Sequence, residues 1–95
     1  MLTKTDVRKG FSARVFYNRT RLDMTQQQLA DGVSTSLRWI QKIESGAKLP
    51  SFFLAIRLMV VLEIDAGAFI RGLTANTEET GKERPSNDPI PVPRG

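Results

Sequence analysis

Up to Leu73, the side chains that could support hydrolytic or metal chemistry are carboxylates: Asp6, Asp23, Asp31, Glu44, Glu63 and Asp65. They are scattered singly, and nothing resembles the close pair that general acid–base work needs. The chain holds no cysteine and no histidine. That removes disulfides, thiolate or imidazole zinc sites, and any Ser-His or Cys-His nucleophile. No catalytic residue, metal site or cofactor is expected, and an enzyme is the least favoured class. Chemistry of another kind is offered by a polar stretch between Thr25 and Gly46, in which Arg38 and Lys42 stand one helical turn apart.

Composition points the same way. At 95 residues there is room for one domain and none for a catalytic domain beside a binding domain. The formal charge of +4 is uneven: eleven basic against six acidic residues up to Leu73, and three against four from Thr74 onward. A basic body suits a polyanion, through attraction to phosphates and release of their counterions. The longest apolar run, Phe52 to Ile64, is broken by Arg57 and Glu63 and falls short of the roughly 20 residues a membrane span needs. Met1 to Asp6 lacks a secretory apolar region. A cytoplasmic protein with no membrane association is expected.

Apolar residues recur at helical spacing, which predicts an all-α fold of five helices. The first runs from an N-cap near Thr5 to Leu22, with Val7, Phe11, Val15 and Leu22 on one side. Thr25 caps a second, Gln26 to Gly32; the capping run Ser34-Thr35-Ser36 then stops one helix and starts the next. The third covers Leu37 to Ser45 and ends at Gly46, where glycine tolerates a left-handed turn. Pro50-Ser51 opens a fourth, Phe52 to Leu62, and Asp65 caps a fifth, Ala66 to Leu73. The working domain is residues 3–73. Residues 74–95, with Pro85, Pro89, Pro91 and Pro93, read as a disordered tail that buries too little to offset its ordering entropy.

Two short helices joined by about three residues make a helix-turn-helix, whose second helix lies in the major groove. The close crossing needs a small residue, supplied by Ala30, and apolar partners, supplied by Leu29, Val33, Ile40 and Ile43.

Here the chain resembles the phage-repressor-like (Cro/C1, or XRE) helix-turn-helix family. The resemblance covers about residues 11–73 and includes Arg19, Thr25-Gln26, Leu29-Ala30, Ile40, Ile43-Glu44, Gly46, Pro50-Ser51 and the Leu62 to Ile64 ending. It implies a compact lambda-repressor-like bundle of five helices that binds operator DNA as a homodimer. It departs at Ser34 and Asp23, which stand where the family carries glycine.

The resemblance implies that Ser36, Leu37, Arg38 and Lys42 face the groove. Arg38 can donate two bonds to guanine O6 and N7. Leu37 either touches a thymine methyl or packs inside the protein on Val33. Gln26, at a helix start, is implied as a phosphate contact. Read from the residues themselves, Lys48 and the amides around Gly46 are placed to hold a second phosphate with help from Ser45, and the Trp39 ring is expected to pack over Ala47 to Pro50 with its indole N–H toward a phosphate or a carbonyl. Arg19 and Glu44 are implied as a buried ion pair that holds the fold.

The fourth helix has more apolar residues than one face needs. Phe52, Ile56, Leu58, Leu62 and part of Met59 are expected in the core. Phe53, Leu54 and Val60, with Ile64 and Phe69, are expected to form a homodimer surface. The function expected is therefore operator binding by a dimeric transcriptional repressor. Alternatives are the antitoxin of a toxin–antitoxin pair, which binds operator and toxin, and the controller protein of a restriction–modification system.

Overall fold

A computed structural model describes residues 1–77, and among these the backbone forms five helices and no strand. The helices are α1 (Lys4–Arg21), α2 (Gln26–Gly32), α3 (Leu37–Glu44), α4 (Phe52–Val61) and α5 (Ala66–Thr77).

Each helix starts on a side chain that captures a free amide. For α1 this is Thr3, not Thr5: the Thr3 hydroxyl accepts the Asp6 N–H at 3.1 Å, and the Asp6 carboxylate accepts the Thr3 N–H at 2.9 Å. Only Thr3 has a carboxylate at the spacing that closes this reciprocal box. The Thr3 backbone bond, with its hydroxyl second, holds the Asp6 carboxyl below its ordinary 3.8. Thr5 instead accepts from the Arg8 guanidinium. Thr25, Ser36, Ser51 and Asp65 cap α2 to α5 as their positions predict, accepting from Gln28, Trp39, Leu54 and Ala68.

The first four helices also end alike. The amides of Met24, Thr35, Ala47 and Ile64 reach back to the carbonyls of Arg19, Ala30, Lys42 and Met59 at 2.9–3.0 Å, the six-to-one bond of a Schellman ending. The residue before each of those amides is left-handed: Asp23 (φ 61°), Ser34 (φ 59°), Gly46 (φ 82°) and Glu63 (φ 57°). Asp23 and Ser34 thus adopt the geometry that glycine would serve. The helix α5 runs on to Thr77, past the boundary expected at Leu73. No glycine or proline interrupts residues 74–77, and the Thr74 hydroxyl bonds back to the Ile70 and Arg71 carbonyls. The rest of the expected tail lies outside the described residues.

The core is one cluster: Phe11 and Val15 from α1, Leu29, Ala30 and Val33 around α2, Ile40 and Ile43 from α3, and Leu58, Leu62, Ile64 and Phe69. Full burial of Leu29, Ile40, Ile43, Leu58 and Leu62 stabilises the fold by about 1.5–3 kcal/mol for each side chain. Phe11 meets Phe69 edge-on, ring centroids 5.6 Å apart, which fixes α5 against α1. The Asn18 amide donates to the Leu62 carbonyl at 2.9 Å and ties α1 to the end of α4. Phe52 and Ile56, expected inside, are 82% and 41% exposed. Leu58 and Leu62 fill the core from α4 while Phe52 and Ile56 lie on another of its faces.

Candidate nucleic-acid interface

Helix α3 is positioned by what it buries. Ile40 and Ile43 point into the core against Leu29, Ala30 and Val33, which turns Arg38, Gln41 and Ser45 to the exposed side. Leu37 and Lys42 flank that side, half-buried. Arg38 has no hydrogen-bond or charge partner among the described residues, so its donors are available. The Lys42 ammonium lies 5.8 Å from the centre of the Trp39 ring. Trp39 is itself half-buried against the core, and its indole N–H meets no acceptor among the described residues. Lys48 is exposed just past Gly46.

Two of the serines are already engaged. Ser36 accepts the Trp39 amide as the α3 cap and keeps its own proton to donate. Ser45 donates to the Lys42 carbonyl at 2.9 Å and accepts from the Ala47 amide at 3.4 Å, so its hydroxyl proton is spent within the turn.

Arg19 and Glu44 form the ion pair that the resemblance implies. Arg19 Nε lies 2.5 Å from Glu44 Oε2 and Nη2 lies 3.1 Å from Oε1, a fork-on-fork pair. The pair has more partners than the sequence suggests. Arg19 Nη1 donates to the Met24 carbonyl at 2.7 Å, and the Phe16 ring covers the guanidinium at 5.5 Å. Gln26 Nε2 donates to Glu44 Oε1 at 3.0 Å, and the Ser12 hydroxyl donates to the Glu44 backbone carbonyl. The one carboxylate of α3 is thereby neutralised, leaving Arg38, Lys42 and Lys48 to set the sign of this face.

Gln41 is an outward residue of α3 that sequence reasoning missed. Its Nε2 points at Gln26 Oε1, 3.5 Å away, and it stands exposed beside Arg38. The signal was present: Arg38, Gln41 and Ser45 recur at three and four residues, one stripe of a helix.

The surface expected to meet a second subunit is partly redrawn. Phe53 and Val60 are exposed, at 65% and 72%. Leu54 is half-buried against the core, and Ile64 and Phe69, 8% exposed, belong to it. Ile64 lies at the α4–α5 junction, and Phe69 lies on the inner side of α5 against Phe11 of α1. On α4 and α5 the large apolar residues that do face outward are Phe52, Ile56 and Val60, spaced four apart along α4, with Phe53 beside them and Ile70 on α5.

Among the described residues no group of three acidic, histidine or cysteine side chains could hold a metal, and no helix is long and apolar enough to cross a membrane. A short cationic helix, held across a second short helix by a left-handed turn and free on its outer face, defines a helix-turn-helix DNA-binding domain. The helix-turn-helix family model matches residues 17–69, more than half of the chain, and the protein belongs to this family, of the XRE/Cro/C1 type. It is accordingly a DNA-binding regulator of transcription. Comparison with curated protein sequences finds no match.

Proposed function

We propose that the protein is a repressor that occupies an operator as a homodimer, reading bases with Arg38 and Lys42 of α3. The observation that carries this is the free outer face of α3, where Arg38 has no partner among the described residues and the nearby Glu44 is neutralised. Ser36 and Leu37 begin the same face. Gln26, Trp39, Lys48 and the turn at Gly46 hold the phosphates on either side, whereas Ser45 contributes less because its proton is engaged.

A contiguous exposed apolar surface usually marks an interface. The ridge Phe52–Ile56–Val60, with Phe53, supports pairing through α4, since readers of this type bind half-sites about 34 Å apart. Selection of bound sites from random duplex DNA tests the reading. A two-fold symmetric site with a steep loss of affinity on adding salt is the expected result; no enrichment overturns it. Light scattering of the isolated chain tests the pairing. A monomer would assign the α4 ridge to another protein, as in an antitoxin bound to its toxin.

A further inference from the structure

We propose that Gln41 specifies an adenine in each half-site, its amide turned the right way by Glu44 acting through Gln26. The inference rests on the reading of α3 as the base-contacting helix. It starts from a group that can only accept. The Glu44 carboxylate takes two donors from Arg19 and a third from Gln26 Nε2, at 3.0 Å. An ionised carboxylate has no proton to give, so the NH₂ end of Gln26, and not its carbonyl, must face Glu44. The Gln26 carbonyl oxygen then points away, towards Gln41.

That oxygen likewise accepts only. It draws the NH₂ end of Gln41, at a loose 3.5 Å; the reverse orientation would set two carbonyl oxygens against each other. One fixed charge thus sets the sense of two amides in succession. Gln41 is left with its carbonyl oxygen and one N–H, an acceptor and a donor on the exposed face of α3. In the major groove, adenine presents the complement, N7 to accept and N6–H to donate, and glutamine pairs with it in two bonds. A phosphate would use only the donor. The arrangement therefore favours a base over the backbone. Gln26 is a positioning residue in this scheme, Glu44 its anchor.

The test is site selection from a random duplex pool with the full chain and its Gln41→Ala variant, each checked for an unchanged thermal melt. The wild type should enrich an adenine at one position of each half-site. Gln41→Ala should lose that preference, by roughly 5- to 150-fold against the other bases, and keep the preference set by Arg38. Gln26→Ala should weaken the same preference, and in the Gln41→Ala background should change it no further, an outcome a purely structural role would not give. If Gln41→Ala weakens all sites equally, Gln41 is a backbone contact and the proposal fails while the reading of α3 stands. If the wild type enriches nothing, both fall.

Discussion

The Arg57 guanidinium lies 4.5 Å from the centre of the Phe53 ring while its Nη1 donates to the Val33 carbonyl at 3.1 Å. One side chain of α4 therefore closes the end of α2 and roofs the turn that leads into α3. Removing it should loosen the turn itself. We expect Arg57→Ala to destabilise the protein by about 1–3 kcal/mol, through loss of a charge-assisted bond to a helix-end carbonyl. Phe53→Ala should cost about 0.5–1 kcal/mol from the lost ring contact. Urea unfolding of both variants checks this, and equal midpoints for Arg57→Ala and wild type would refute it.

The ion pair between Arg19 and Glu44 makes a sharper demand. Glu44→Ala leaves a buried guanidinium uncompensated and should cost about 3–5 kcal/mol. Replacing both, as Arg19→Met with Glu44→Leu, should cost less than either single change, because no charge is stranded. Thermal melts of Glu44→Ala, Arg19→Met, Glu44→Leu and the double variant decide it. DNA affinity should fall with Glu44→Ala as a consequence of unfolding and also through release of Gln26.

Backbone strain at helix ends should be relieved by glycine. Ser34 and Glu63 both hold a left-handed φ that costs an L-residue on the order of 1–2 kcal/mol, part of which glycine returns through its freer unfolded chain. Ser34→Gly and Glu63→Gly should each raise stability by about 0.5–1 kcal/mol. The converse change, Gly46→Ala, should lower it by a comparable amount. A urea midpoint lowered by both glycine variants would show that these turns are not strained.

Pairing through α4 is best tested away from Phe53, whose ring also supports Arg57. Ile56→Glu and Val60→Lys alter only the outer ridge. Each should halve the mass found by light scattering and leave the helical content of the single chain intact. Unchanged dimer mass in both would remove α4 from the interface.

What the sequence made legible was local. Thr25, Ser36, Ser51 and Asp65 were readable as caps because capping joins residues three apart. The Ala30 crossing and the inward Ile40 and Ile43 followed from spacing on a helix with one apolar side. Helix α4 gave no such guide: Phe52 to Val61 is apolar nearly all round, so periodicity could not show that Phe52 and Ile56 turn outward. Long-range polar partners were equally silent. Nothing near Arg57 names the Val33 carbonyl, 24 positions away, and nothing near Gln26 names Glu44. Glu63 is left-handed because α4 must turn sharply to bring Ile64 into the core, a demand made by the packing and not by glutamate.

The most direct measurement of the central claim, that α3 is the reading helix, compares Arg38→Ala with wild type on a selected duplex and on a scrambled one. Fluorescence anisotropy over a salt series supplies both affinities. The account predicts a loss on the selected duplex of roughly 5- to 150-fold beyond any loss on the scrambled one. An equal loss on both duplexes would mean that Arg38 serves only as a charge, and would contradict it.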